Sequence, residues 1–395
     1  TVTTFEVARD LKLGQFRLSF ADIRSDAPGM PLMLTRTYDS LKKDQIGDFG
    51  YGWSAAAQDV SLRKNVAEGA LWNVQTSGFN ICFTPAVPHR LTVSLPDGGV
   101  YRFQARNEVQ CAFATVPDIN VVYDALALPV GGNSGGAASS GKLEIINTSL
   151  LLQQGGTIFD VDTGGPWDPT DYKFTAADGT VWVLRKDVGV ISQTDIYGNT
   201  INYGPGGYQH SATLAISLAR DGQGRITRAT DPTGKSVAYT YNANGELATM
   251  TDRVGGVTSF FYGTTTRAAG AADSGSTVNA HLLESIVDPR GQVIARLQFD
   301  DLGRLSGSLD ALAQGATQTF DTTLNQQRSV DRRGNPTTYT FDTAGNVTKI
   351  VDALGGTTEL TYDANGNELT RKDPLGNVVT KTYDATAGTA LTETD

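Results

Sequence analysis

A period of about 21 residues constrains this chain more than any other feature, because a fixed repeat commits the polypeptide to stacking one supersecondary unit many times. Turns that begin with Asp recur at Asp231-Pro232-Thr233-Gly234, Asp252-Arg253-Val254-Gly255, Asp288-Pro289-Arg290-Gly291, Asp310, Asp331-Arg332-Arg333-Gly334, Asp352-Ala353-Leu354-Gly355 and Asp373-Pro374-Leu375-Gly376. Most of these steps are 21 residues. A second series falls between them: Tyr241-Asn242, Phe299-Asp300, Phe320-Asp321, Phe341-Asp342, Tyr362-Asp363 and Tyr383-Asp384. Each repeat thus holds two turn signals. Asp at the first turn position bonds backbone N–H groups two residues on, Pro presets φ at the second, and Gly accepts the conformation that leaves the turn. Gly366 is expected to need a positive φ on this reading.

The segments between turns are of strand length. Positions 0, −2 and −4 from each aromatic form one face, as in Tyr241, Tyr239 and Val237, or Tyr362, Leu360 and Thr358, while Thr340, Thr338, Thr361 and Glu359 occupy the other. Alternation of this kind opposes helix. The fold class is therefore all-β: antiparallel β-hairpin repeats adding to one long twisted, curled sheet, with the aromatics Tyr239, Tyr241, Phe299, Phe320, Phe341, Tyr362 and Tyr383 laddered on one face. About ten strands are expected from the repeats. Residues 263–280, rich in Gly, Ala, Ser and Thr, displace the period and read as a loop insertion.

The dipeptide Tyr362-Asp363 with Gly366, followed by Asp373-Pro374-Leu375-Gly376 and Tyr383-Asp384, resembles the YD repeats of the Rhs proteins. Thr35-Arg36-Thr37-Tyr38-Asp39-Ser40 and Gly47-Asp48-Phe49-Gly50-Tyr51-Gly52-Trp53-Ser54 are similar to the opening that precedes such repeats. The resemblance implies a hollow shell wound from a β-ribbon, like those of toxin-complex C components and teneurins. In bacterial members the shell holds a toxin polypeptide. The family's carboxy-terminal core and self-cleavage segment are not recognisable, so the chain is expected to be a fragment or cleavage product. The implied partners are the remainder of the parent shell and an enclosed toxin polypeptide, and the implied location is secreted or cell surface.

Three regions follow: 1–55 as the amino-terminal opening segment, 56–189 as irregular β-hairpins, and 190–395 as YD repeats. Leu91–Leu95 leads through Pro96-Asp97-Gly98-Gly99 to Val100–Phe103, and Ala177-Asp178-Gly179 precedes Thr180–Leu184; both read as hairpins. Gly131–Gly141 reads as a Gly/Ser loop.

The net charge of −10 gives no basic footprint for nucleic acid. No apolar run approaches membrane-spanning length. Cys82 and Cys111 are too few for a zinc site and leave open either two thiols or one bridge. His89, His210 and His281, the only histidines, lie beside loop-like sequence and read as solvated or packed loop residues. Asp160, Asp162, Asp168 and Asp171 surround Gly164-Gly165-Pro166 but lack the full spacing of a calcium loop, and read as an acidic solvated segment. No catalytic, cofactor-binding or metal residue is expected, and no cofactor. The leading reading is a non-enzymatic shell segment. Its alternative is a surface module that uses the aromatics to bind glycan or a partner; replacing Tyr362 with Ala is expected to cost about 3 kcal/mol only if the ring is packed.

Overall fold

The computed structural model describes residues 14–55, 57, 60–95, 99–116, 118–126, 141–146, 149–263, 280–310, 314–363, 367–383 and 390–394. Gly366, Pro96–Gly98, almost all of the Gly/Ser segment at 131–141 and nearly all of the 263–280 insertion lie outside these residues. One antiparallel sheet of twenty-two strands dominates, running from Lys142–Ile145 through Asp171–Thr175 and Val181–Arg185 and then strand after strand to Ala390–Thr394. Its order does not close on itself, so it is open and not a barrel. The sheet has more strands than the ten expected: eighteen of its twenty-two begin within 190–395, because each 21-residue repeat gives two strands and the less regular segments before residue 231 pair in the same way, and four more precede them.

The turns explain the regularity. In Asp373–Asn377 the Asp373 N–H donates to the Asn377 carbonyl at 2.9 Å and the Gly376 N–H to the Asp373 carbonyl at 3.0 Å. Asp373 Oδ1 accepts from the N–H groups of Leu375 and Asn377, both at 2.9 Å. Gly376 sits at φ 92°, where a side chain would be strained. This is a type I turn closed by a glycine bulge, and the ladder shifts register beside several such turns. Asp195, Asp221, Asp231, Asp252, Asp288, Asp300, Asp331, Asp342 and Asp352 repeat the same two carboxylate–amide bonds. At several turns the fifth side chain clamps the other carboxylate oxygen, as Asn377, Asn367, Asn346 and Asn335 do.

The two faces differ as the alternation requires. Tyr239 and Phe341 are buried, while Tyr241, Phe299, Phe320, Tyr362 and Tyr383 are half-buried on the same side. The opposite side carries cross-strand hydroxyl pairs, Thr240–Thr249 at 2.6 Å, Thr361–Thr370 at 2.7 Å and Thr382–Thr392 at 2.6 Å. A second device ties each tyrosine down. The hydroxyls of Tyr241, Tyr262, Tyr362 and Tyr383 donate to the carbonyls of Ile226, Leu247, Val347 and Glu368, each fifteen residues earlier in the chain.

Among the described residues three smaller sheets of three or four strands accompany the long one, with two two-stranded ribbons, Ile46–Gly47 with Gly50–Tyr51 and Leu151–Gln154 with Thr157–Asp160. Arg17–Ser25, Leu32–Asp39 and Trp53–Ala55 form the first; Ser61–Lys64, His89–Ser94, Val100–Asn107 and Val121–Leu126 the second; Trp72–Ser77, Asn80–Pro85 and Cys111–Phe113 the third. A disulfide joins Cys82 to Cys111, the bridge that the sequence left open.

Candidate functional site: a buried seam across the repeat sheet

The feature that a repeat ribbon alone does not explain is how its aromatic face is covered. Strand Arg17–Ser25 and its flanks meet the long sheet in reverse order along the ladder. The Gly14 carbonyl accepts from Leu305 N, the Phe20 ring lies 6.2 Å from that of Phe260, Asp22 accepts from Tyr239 Oη, and the Pro28 carbonyl faces His210 Nε2 at 3.1 Å. Nine strands separate these contacts from first to last, counted from Gly207–His210 to Leu305–Leu309. At about 4.8 Å for each of the eight steps between these nine strands the span is roughly 38 Å, which the fifteen residues from Gly14 to Pro28 cover only if they run across the strands in extended form. The amino-terminal sheet therefore packs crosswise on the ladder, and one hydrophobic core unites Phe16, Ile23, Leu34, Trp53, Ile216, Tyr239, Phe260 and Leu305.

At the centre of this seam lies an ion pair. Arg36 has no exposed surface, and its guanidinium donates to Asp22 from Nε at 2.9 Å and Nη2 at 3.2 Å. Tyr239 Oη donates to the same carboxylate at 2.8 Å. The rings of Trp53, Phe20 and Phe260 surround the guanidinium at 4.6, 4.9 and 4.9 Å. Arg36 Nη1 has no acceptor among the described residues, and the ring faces hold its charge instead. Burial opposes the guanidinium's charge, but Asp22 more than offsets this and its pKa is raised. Burial, reinforced by Asp22, likewise pushes the Tyr239 hydroxyl well up, so it stays a donor.

The margins of the seam are polar and paired. Trp53 Nε1 donates to Tyr262 Oη at 2.8 Å; Tyr38 Oη donates to the His281 carbonyl and accepts from Leu283 N. Asp48 accepts from Arg220 at 2.6 Å and from its own loop at Ala55 N. Tyr51 stacks on His281 with centroids 3.8 Å apart, and His281 Nδ1 faces Glu246 at 2.9 Å. Gly50 fits because a Cβ there would lie 2.5 Å from the Gly245 carbonyl. The opening motif at 35–54 is thus the part of the chain that grips the ladder.

The histidines correct the sequence reading in two cases. His89 and His210 lie on strands and are buried; only His281, at φ 63°, lies in a turn. His210 Nδ1 accepts from Ala212 N, so Nε2 carries the proton and donates to Pro28. Burial pushes the His89 imidazole down, and neither ring nitrogen has a partner at hydrogen-bond geometry among the described residues. Nearby Glu68 is buried and accepts from Tyr123 at 2.9 Å, Tyr172 at 2.8 Å and Lys64.

The four candidate calcium aspartates are not gathered around a cation site. Asp160 accepts from Ser149 and from its own turn, Asp168 from Lys64 and Lys186 at 2.7 Å each, and Asp171 from Arg185 at 2.8 Å. Asp162 is exposed. Among the described residues no group of three or more His, Cys, Asp or Glu could hold a metal ion. No described helix is long and apolar enough to cross a membrane.

Comparison with known proteins adds three findings. The family model described as RHS Repeat matches residues 220–270 and 320–357, and the model described as Domain of unknown function (DUF6531) matches residues 10–83. No curated protein matches the sequence. Similar solved structures include TcdB2-TccC3 without its hypervariable C-terminal region, at 12% identity and a TM-score of 0.37 over 96% of this chain and 20% of that one. The Tc holotoxin pore of Photorhabdus luminescens gives 11% identity and a TM-score of 0.33, over 96% of this chain and 24% of that one. A porin-like protein from Bacteroides uniformis gives 12% and 0.18, over 56% of this chain and 89% of that one. The chain spans about a fifth of the length of the first.

Proposed function

The chain belongs to the Rhs (YD-repeat) family, and on that premise we propose that it is a non-enzymatic wall segment of a secreted or surface shell that encloses a toxin or other polypeptide. The observation that carries this reading is the uneven cover of the aromatic face. From Gly207–His210 to Leu305–Leu309 the amino-terminal sheet covers it, with rings such as Tyr241 and Phe299 half-buried at the margins, whereas beyond that point Phe320, Tyr339, Ile350, Tyr362 and Tyr383 are half-buried and, among the described apolar residues, Phe341 and Leu360 alone are buried. A face of this kind suits contact with another polypeptide or with more of the wall. The Cys82–Cys111 bridge supports an oxidising, extracytoplasmic setting. Tyrosine hydroxyls committed to backbone carbonyls favour rings that serve packing over a glycan platform.

Hydrogen exchange tests the reading. The chain alone is compared with the assembly isolated from the cells that make it. Strands Gln326–Val330, Pro336–Phe341 and Val347–Val351 are expected to gain protection in the assembly. Equal exchange in both samples would remove the enclosing role.

A further inference from the structure

His89 is a buried titratable group that a wall does not call for. It opens the strand His89–Ser94 with 3% of its surface exposed, and its ring stands edge-on to Trp72, with centroids 5.1 Å apart. Trp72 stacks in turn on Phe83. Beside the ring is a small cavity, lined by Lys64 from Ser61–Lys64, Glu68 from the segment that follows, Arg90 from its own strand, Ala105 from Val100–Asn107 and Tyr123 from Val121–Leu126. It has room for no more than one water. The carboxylates nearby are already bonded. Glu68 Oε1 accepts from Tyr123 and Tyr172, and Oε2 from Lys64, while Asp168 behind them is held between Lys64 and Lys186. The charges of Lys64 and Arg90 oppose a further cation. Burial holds the imidazole neutral; the Leu71 carbonyl would favour a charged ring, but it already accepts the Ala86 N–H at 2.7 Å and does not offset the burial.

We propose that His89 is the trigger of an acid-operated latch: a proton on its ring opens the core around Trp72 and releases the four-stranded sheet from the first strands of the ladder, while the seam stays closed. The two cores are separate. The one around Trp72 joins Leu91 and Phe103 to Leu143, Tyr172 and Phe174 of the long sheet, and none of its buried members belongs to the core of the seam. Opening it therefore frees the end of the ladder that begins at Lys142–Ile145 without disturbing the grip of the amino-terminal sheet. Acid drives the latch in one direction. A solvated histidine takes its proton at about pH 6.5, whereas the buried ring takes it only at lower pH, so the open form gains the proton first and is favoured as pH falls through that value. At about pH 5.5 roughly ten open forms carry the proton for each that does not, which raises the opening constant about tenfold.

The test is hydrogen exchange of the unaltered chain at about pH 7.5 and about pH 5.5, corrected for the intrinsic pH dependence of amide exchange. The expected result is about tenfold more opening at the lower pH in His89–Ser94, Val100–Asn107 and Val121–Leu126, with Leu32–Asp39 and Ser236–Tyr241 unchanged. His89→Leu puts an apolar side chain in place of the ring and should abolish the difference. Proton NMR of the His89 ring in the unaltered chain gives a readout that needs no variant: the ring should titrate below the ordinary histidine range and in step with the loss of protection. Four results overturn the proposal: unchanged exchange in the three strands, an equal response in the seam, a response that persists in His89→Leu, or a ring that titrates at the ordinary value while protection is kept.

Discussion

Replacing Asp22 with Ala isolates the energetics of the seam. Both side chains of the Asp22–Arg36 pair are essentially without solvent exposure, so water cannot replace the lost carboxylate. Breaking a buried pair from one side costs about 3–5 kcal/mol, because the remaining charge stays desolvated. The Tyr239 hydroxyl loses its acceptor too, which adds about 1–3 kcal/mol unless the side chain turns away. The rings around Arg36 offset part of this, by about 2 kcal/mol. A net cost of about 4 kcal/mol therefore remains, equivalent to roughly a thousandfold rise in local opening. Amide exchange in Leu32–Asp39 and Ser236–Tyr241 reads it directly, since the seam can open without the distal repeats unfolding. The companion variant Asp22→Leu with Arg36→Met removes both charges and should restore most of the protection. Exchange in Asp22→Ala within threefold of the unaltered chain would refute the reasoning.

Three further outcomes are expected. Tyr362→Phe should lose about 1 kcal/mol, the net worth of the bond to Val347, and Tyr362→Ala about 2 kcal/mol for a half-buried ring; denaturant titration giving no loss in Tyr362→Phe would remove the hydroxyl's role, and equal losses in the two would remove the ring's. Gly376→Val should destabilise its hairpin by about 1–2 kcal/mol from the positive φ alone, because a Cβ there meets nothing, whereas Gly222→Val, also in open space but without a positive φ, should be near neutral in the same thermal assay. Burial alone would raise the Asp231 carboxyl, but hydrogen bonds from Thr233, Arg253 and the Lys235 backbone pull it down to about 2 from 3.8. Its folded-state pKa is thus depressed, so the ionised group stabilises above about pH 4 and that contribution fades as pH falls toward 2. Asp231→Asn should flatten the fall of the thermal midpoint across that window, and an unchanged slope would count against it.

The ladder was legible because its signals are local. Asp and Gly act within the five-residue turn and the aromatic marks its own strand's face by alternation, so the Asp352 and Asp373 turns and the faces of Thr357–Tyr362 could be read from order alone, although the tyrosine hydroxyl's bond fifteen residues back could not. The clamp by Asn at the fifth turn position was visible as a recurring Asn335, Asn346, Asn367 and Asn377, but its partner oxygen needed coordinates. The strands Asp171–Thr175 and Val181–Arg185 lack the 21-residue period, so their place in the same sheet was not readable, and the two strands of every repeat between 200 and 394 make up the rest of the excess over the expected number. The seam was illegible for a different reason. Asp22 and Tyr239 are 217 residues apart, and Tyr38 reaches the backbone at 281 and 283, pairings that no spacing rule encodes. His89 and His210 misled because flanking turn residues, Pro88 and Gly206-Gly207 among them, obscured the short strands that bury them.

Native mass spectrometry of the protein isolated from the cells that make it tests the wall reading most directly. The account predicts that the 41.9 kDa chain travels with further polypeptide in fixed stoichiometry and that the complex survives high salt, since the open aromatic face joins it through apolar contact. A single species at the mass of the chain alone, with Phe320, Tyr339 and Tyr362 as accessible to labelling as in the purified chain, would contradict it.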